Sequence, residues 1–135
     1  MYTFKTDPLG KQIIDALTQA VKRGVLVRVL VDGVGTPFWG GKSVKEFEKN
    51  GGKTKVFHPF PWHWHRAASQ LPSLSRLLAL FVNVNTRTHR KIIIVDDFIT
   101  YIGSFNIDQC HIGNTQQKPW RDTGVRMTSA DITEL

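Results

Sequence analysis

The sequence has little cysteine, no long apolar run and no repeated or low-complexity segment. Cys110 is the only cysteine among the 135 residues, so an internal disulfide is excluded. The longest unbroken apolar run extends from Leu77 to Val82, far below the roughly 20 residues that a transmembrane helix requires. The sequence therefore excludes a disulfide-stapled fold and a membrane-spanning helix within this chain.

The charge of the chain is strongly positive. Lysine and arginine total 18 against 11 acidic residues, which gives a formal net charge of +7. This charge favours an anionic partner such as nucleic acid, an anionic lipid surface or a phosphorylated substrate. It does not distinguish among these partners, and a basic surface that only aids solubility fits nearly as well. The composition is otherwise that of a globular domain with a hydrophobic core.

The first third of the chain carries clear helix and strand signals. Asp7 fits a helix N-cap and Pro8 the first helical position, and apolar residues at four-residue spacing follow. Gly24 is predicted to end this helix as its C-cap. The apolar run from Val25 to Val31 predicts a buried parallel strand.

The alternation of elements continues and predicts an α/β fold. Ser43 to Glu46 fits a capping box that begins a short helix, and Lys53 to Phe57 reads as the next strand. A mixed β-sheet flanked by helices is therefore expected, with residues 1–135 forming a single domain. Further elements are predicted as a loop at 58–66, a helix at 72–82, strands at 91–95, 98–102 and 120–127, and the start of a helix at 129–135.

The chemically informative residues lie between His89 and Asn106. His89 and Lys91 are two positions apart at the start of a predicted strand, so their side chains share one face. A turn after Asp96 returns the chain, which brings Ser104 and Asn106 close to the start of that strand. A histidine, a cation, a hydroxyl and an amide then converge on one spot.

This combination of side chains suits a phosphodiester. Lysine and polar donors stabilise anionic oxygens, while histidine attacks phosphorus or protonates a leaving oxygen. Each residue alone has an ordinary structural explanation, such as a surface histidine, a solvated lysine or a turn. Their fixed spacing in the predicted strand context makes the functional interpretation the stronger one.

The segment from His89 to Asp96, continued by Gly103 to Asn106, resembles the HKD motif of the phospholipase D (PLD) superfamily. Residues 15–33, 85–91 and 120–123 are similar to the corresponding segments of bacterial cardiolipin synthases. The similarity covers nearly the whole chain, except the loop from His58 to about Ser75.

The resemblance implies a mechanism of phosphatidyl transfer. Two HKD motifs face each other in this superfamily. One histidine forms a phosphohistidine intermediate, and the other protonates the leaving alcohol. In a cardiolipin synthase the incoming alcohol belongs to a phospholipid, commonly phosphatidylglycerol. The resemblance implies neither a metal nor another cofactor.

The resemblance also assigns roles to residues of this chain. His89 is nucleophile or general acid, and Lys91, Ser104 and Asn106 hold the phosphate. Asp122 corresponds to a carboxylate that hydrogen-bonds the catalytic histidine. Asp96 belongs to the motif, but strand alternation points it away from the site, so we expect it to support the hairpin.

The chain contains one HKD motif, whereas the mechanism requires two. The second motif is expected either from the same longer parent chain or from a second copy in a homodimer. The segment from Trp120 to Thr123 and the ends, which look truncated, favour a longer parent. The resemblance predicts a bacterial enzyme at the cytoplasmic face of the membrane, with any anionic membrane contact or anchor supplied through that parent.

Two other functions remain open from the sequence. One is a metal-independent homodimeric nuclease of the same superfamily, which the basic charge suits. The other is a non-catalytic half-domain that binds phosphate or lipid without turnover.

Two weaker motifs are set aside. Gly41 to Ser43 lies in the context of a P-loop, but Thr36 stands where the first glycine is required. His58, His63 and His65 lack a cysteine or carboxylate at a useful spacing for a metal site.

Overall fold

The computed structural model describes residues 1–37, 39–58, 87–113 and 118–128, and these form an α/β structure, as predicted. The helices are α1 (Pro8–Lys22) and α2 (Lys42–Lys49), with a short 3-10 helix at Gln109–His111. The strands are β1 (Arg28–Asp32), β2 (Lys53–Phe57), β3 (Ile92–Val95), β4 (Ile99–Gly103) and β5 (Gly124–Thr128). The helix predictions at 72–82 and 129–135, and all but His58 of the predicted 58–66 loop, lie outside the described residues.

Helix α1 begins as predicted. The Asp7 side chain accepts a hydrogen bond of 2.9 Å from the amide of Gly10, which satisfies one of the free donors of the first turn. The helix ends just before Gly24, whose φ of +90° is a left-handed conformation that suits glycine. Ile14 is buried in the core, and the predicted apolar stripe packs around it.

The predicted capping box of α2 is not formed. Gly41 is the N-cap of this helix, and because glycine has no side chain, no side-chain hydrogen bond caps the first turn. Because the helix begins earlier than predicted, Ser43 lies within the first turn rather than at the cap. Val44 and Phe47 are buried on the inner face of the helix.

Strands β1 and β2 pair in parallel, as predicted for the strand after α1, but β1 is fully buried only at Val31 and Asp32, so its predicted burial is wrong for Arg28 and Leu30. Arg28 aligns with Lys53, and the register continues to Asp32 opposite Phe57. The prediction placed the start of β1 at Val25, which is wrong, because the strand begins three residues later at Arg28. β2 reaches no farther than Lys53, and residues 25 and 26 are exposed to solvent.

The remaining strands form an antiparallel sheet in the order β3-β4-β5. Asp96 and Asp97 turn the chain between β3 and β4 with φ values of 53° and 52°, and Phe98 donates a 3.1 Å bond to Val95. Positive φ at both central positions is typical of the tight turn that suits the twist of a hairpin. Parallel and antiparallel pairs thus occur in two sheets among the described residues, rather than in one mixed sheet.

The start of the chain contacts both β1 and the segment that follows β4. Met1 donates to Leu30 on one side, while Phe4 forms a parallel bridge with Ile107 on the other. The buried core comprises Phe4, Ile14, Val31, Val44 and Phe47. Within the described part of the chain, neither helix has the length and apolarity needed to cross a bilayer.

Candidate functional site

The candidate site lies at one end of the antiparallel sheet, where the start of β3, the end of β4 and the start of β5 are adjacent. Gly103, at the end of β4, donates a 3.3 Å hydrogen bond to the carbonyl of Lys91, just before β3. The backbone amide of Ser104 donates a 3.0 Å hydrogen bond to the carbonyl of Thr123, just before β5. The hairpin therefore returns the chain as predicted and brings Ser104 beside the Lys91 segment.

His89 and Lys91 lie against the ring of Tyr2. The rings of Tyr2 and His89 are stacked, with centroids 4.1 Å apart and an interplanar angle of 16°. The Lys91 ammonium is 5.3 Å from the Tyr2 ring centroid and donates a 2.9 Å bond to the His89 carbonyl. His89 is exposed, and its ring nitrogens have no hydrogen-bond partner among the described residues. Its imidazole is therefore accessible to a ligand.

Asn106 is held by the start of the chain. Its Oδ1 accepts a 3.1 Å hydrogen bond from the amide of Thr3. This contact fixes the orientation of the side chain and leaves its NH₂ group without a protein partner in the described structure. Asn106 therefore offers a free donor at the site.

Ser104 and Asp122 form part of a network with a third residue, His111. The Ser104 hydroxyl donates to Asp122 Oδ1 at 2.7 Å, and His111 Nδ1 lies 2.5 Å from Asp122 Oδ2. His111 Nε2 accepts a 3.2 Å hydrogen bond from the backbone amide of Asn106. Since Nε2 is the acceptor, the proton of a neutral His111 ring resides on Nδ1 and is donated to Asp122.

This network determines the ionisation of Asp122. The hydrogen bond from His111, followed by that from Ser104, lowers the pKa of the Asp122 carboxyl below its usual value. Lys91 adds a smaller attraction in the same direction. The carboxylate was expected to bond the catalytic histidine, His89, but both of its oxygens are instead directed at Ser104 and His111.

The segment that leads into His89 is fixed by a buried carboxylate, Asp32, at the end of β1. Asp32 is fully buried, and its Oδ2 accepts a 3.1 Å bond from the amide of Thr88. Its Oδ1 lies 3.8 Å from Nη1 of Arg87, which also donates a 3.0 Å bond to the His58 carbonyl. The parallel sheet is thereby joined to the residue immediately before His89.

Asp96 lies at the opposite end of β3 from Lys91, in the turn to β4, and it is exposed. Its expected role in supporting the hairpin stays a prediction. Within the described ranges, no group of histidine, cysteine and acidic side chains is arranged to hold a metal ion. His63 and His65 lie outside those ranges.

Three residues of the site were not predicted from the sequence: Tyr2, Asp32 and His111. Tyr2 and Asp32 are more than 50 positions from His89, and no local pattern links them. Asp32 did carry one signal, because it directly follows the apolar run that predicted the strand, and a carboxylate there lies at the carboxyl end of the strand. His111 carried none, since its partners are set by tertiary contacts.

Comparison with known proteins gives this site a family. The family model described as "Cardiolipin synthase, PLD-like domain" matches residues 1–118. The chain belongs to this family of PLD-like cardiolipin synthase domains. Three similar proteins bear the name cardiolipin synthase. The chain is 37% identical over 132 residues to the major cardiolipin synthase ClsA of Bacillus subtilis. It is 36% identical over 134 residues to cardiolipin synthase 1 of Staphylococcus epidermidis and 33% identical over 135 residues to the cardiolipin synthase of Clostridium perfringens.

The alignments cover nearly all of this PLD-like domain but a small part of each relative. They include 97% of the chain for the B. subtilis protein and 99% for the other two. The chain spans about a quarter of the length of these relatives, 24% for the first two and 25% for the third. The family match includes His89, Lys91, Ser104 and Asn106, and it ends before Asp122.

Proposed function

We propose that this chain forms one half of a phospholipase D-type phosphatidyltransferase that makes cardiolipin from phosphatidylglycerol. The observation that carries the proposal is the exposed His89 ring, whose nitrogens are free of protein partners in the described structure. A nucleophile must present a free nitrogen to phosphorus. Lys91, whose ammonium donates to the His89 carbonyl, supplies a cation, and Asn106 supplies a free amide donor. Such groups stabilise the charge that develops on phosphate oxygens.

In the first step, a ring nitrogen of His89 attacks the phosphorus of phosphatidylglycerol. The P–N bond forms as the P–O bond to the headgroup glycerol breaks. The leaving oxygen takes a proton from the histidine of a second half, so that free glycerol departs. Asn106 donates to a phosphate oxygen, and Ser104 joins it when its hydroxyl turns from Asp122 to the ligand.

In the second step, a hydroxyl group of another phosphatidylglycerol attacks the phosphohistidine. The P–N bond breaks, and the second histidine accepts the hydroxyl proton, which restores both residues. The product is cardiolipin. Attack by water instead gives phosphatidic acid, so the ratio of the two products reports how well the site excludes water.

The second histidine is supplied by another half-site, from the same parent chain or from a second copy. His111 does not serve this purpose, because both of its ring nitrogens are engaged by Asp122 and Asn106. We place the reaction at the cytoplasmic face of a bacterial membrane, where the net charge of +7 favours contact with anionic lipid.

The proposal is tested by incubating the chain with phosphatidylglycerol vesicles in EDTA and identifying the lipid products by mass spectrometry. His89→Ala is the control. Cardiolipin or phosphatidic acid that disappears in the variant supports the proposal and indicates that two copies pair. If the chain alone gives no product, the parent protein is tested in the same way, and its inactivity on lipid rejects the proposal.

A parallel incubation with DNA separates the alternatives. Cleavage of DNA in EDTA without any lipid product identifies a nuclease. Phosphate or lipid binding with no turnover, even when a second half is present, identifies a non-catalytic half-domain.

A further inference from the structure

His111 lies between the two polar groups of the Ser104–Asn106 segment. It ends the 3-10 helix Gln109–His111, and its side chain is only 10% exposed. The Trp120 ring packs against it in a T-shaped arrangement, with the ring centroids 5.7 Å apart. The imidazole is therefore enclosed between the loop after β4 and the segment before β5.

Both ring nitrogens of His111 are used within the protein. Nδ1 bonds the Asp122 carboxylate, which in turn accepts from the Ser104 hydroxyl. Nε2 accepts from the backbone amide of Asn106. One rigid ring thus links the Asn106 backbone to the carboxylate that holds the Ser104 hydroxyl.

A flexible side chain at position 111 does not impose the same geometry. The two imidazole nitrogens point in directions set by one rigid ring, whereas an amide side chain reproduces only one of them. Asparagine places a donor near the position of Nδ1, and glutamine places an acceptor near the position of Nε2. The loop depends on both contacts at once.

We propose that His111 is the positioning residue of the phosphate-binding loop: its two hydrogen bonds hold the Asn106 backbone and, through Asp122, the Ser104 side chain in the arrangement that the loop has before phosphate binds. The inference rests on the proposed function, in which these two residues hold the phosphate. His111 itself does not contact the reacting atoms.

The test compares His111→Phe, His111→Asn and His111→Gln with the wild-type chain. Phenylalanine keeps the ring and its packing but removes both hydrogen bonds, while the other two each retain one. The first measurement is the dissociation constant of inorganic phosphate, from chemical shifts of the Ser104 and Asn106 amides. We expect the affinity for phosphate to fall on the order of tenfold or more in His111→Phe and about fivefold in each variant that retains one hydrogen bond.

The second measurement is turnover of phosphatidylglycerol by the protein form that is active in the EDTA assay. A lower kcat in His111→Phe, partly restored in His111→Asn and His111→Gln, supports positioning. Thermal unfolding identifies any variant that fails to fold. If His111→Phe fails to fold, His111→Asn and His111→Gln are compared with the wild type instead. Equal phosphate affinity and kcat in wild type and all folded variants overturn the inference.

The two readouts keep this inference separate from the proposed function. If the wild-type protein binds phosphate at the loop and the His111 variants weaken that binding, the inference holds even when no lipid is turned over. If lipid is turned over and the His111 variants match the wild type in both measurements, the proposed function stands and the inference fails.

Discussion

At the residue scale, the two histidines of the site differ in what their ring nitrogens contact. His89 is exposed and stacked on Tyr2, with its nitrogens free of partners in the described structure. His111 is almost buried, and both of its nitrogens are engaged. The same side chain is therefore available for chemistry at one position and confined to a structural contact at the other.

The lowered pKa of Asp122 predicts how stability depends on pH. Because the pKa of the carboxyl is below its unfolded value of about 3.9, Asp122 stabilises the fold above that value. This stabilisation is lost as the pH falls through the folded pKa. Urea unfolding should show Asp122→Asn less stable than wild type at pH 7, with the difference narrowing below about pH 4. An unchanged difference between pH 7 and pH 3 contradicts this account.

Gly103 is required because a ring occupies the space of its missing side chain. A Cβ atom at this position would lie 2.4 Å from the Phe105 ring and 2.9 Å from the carbonyl oxygen of Thr123. Gly103→Ala should therefore lower the free energy of unfolding by about 1–3 kcal/mol, measured by urea denaturation. In a Phe105→Ala background the same substitution should cost less, since the ring is gone. Equal costs in the two backgrounds would show that the ring contact is unimportant.

At the element scale, Asp7 joins α1 to the 3-10 helix that carries His111. One carboxylate oxygen caps α1 at Gly10, and the other accepts a 2.8 Å bond from the amide of Gln109. The N-terminus of α1 is thus connected to the loop at the site. A change in this cap has consequences for both elements.

This connection predicts that Asp7→Ala is more damaging than loss of an ordinary helix cap. We expect Asp7→Ala to lower the free energy of unfolding by about 2 kcal/mol, of which about 1 comes from the helix cap and about 1 from the hydrogen bond to Gln109. The matched control is Ser43→Ala in α2, where the predicted capping box does not form, and it should change stability by less than about 0.5 kcal/mol. Comparable losses for the two variants in urea unfolding would contradict the assigned caps.

The buried Asp32 carboxylate makes a second prediction at this scale. Asp32→Asn retains an oxygen for the amides of Val34 and Gly35 but loses an acceptor for Thr88 and the charge that faces Arg87. Unfolding free energy should fall by about 1–3 kcal/mol. Hydrogen exchange at the Thr88 amide should also become faster. The exposed Asp15→Asn in α1 is the control, and an equal effect of both variants would show that burial of Asp32 is irrelevant.

Elements governed by local signals were predictable from the sequence. β2 has the predicted bounds, and Asp7 and Pro8 begin α1 because capping and proline preference act over a few residues. The start of β1 was not predictable, since residues 25–27 are as apolar as a strand but extend beyond its partner. The capping box failed for a similar reason, because Gly41 takes the N-cap first.

The site was predictable only where its residues share one hairpin. The convergence of Lys91 and Ser104 follows from strand pairing, which the motif spacing encodes. Tyr2, Asp32 and His111 join the site through contacts between distant segments or through the local course of a loop. No periodicity or spacing in the sequence indicates which side chain such contacts select.

At the scale of the whole molecule, the proposed function makes this basic chain one of two half-sites. The chain belongs to the PLD-like family and spans about a quarter of the length of its relatives. The net charge of +7 assists approach to an anionic surface whatever the identity of the headgroup. The chemistry itself depends on whether His89 becomes covalently attached to the phosphatidyl group.

The most direct measurement is therefore mass spectrometry of the protein after brief reaction with phosphatidylglycerol and quenching without acid, since the P–N bond is acid-labile. The assembly that is active in the EDTA assay is used, with its second half present. The account predicts a phosphatidyl adduct on the peptide that contains His89, absent in His89→Ala. An adduct on another residue of this chain, or cardiolipin formation by His89→Ala at the wild-type rate, would contradict it.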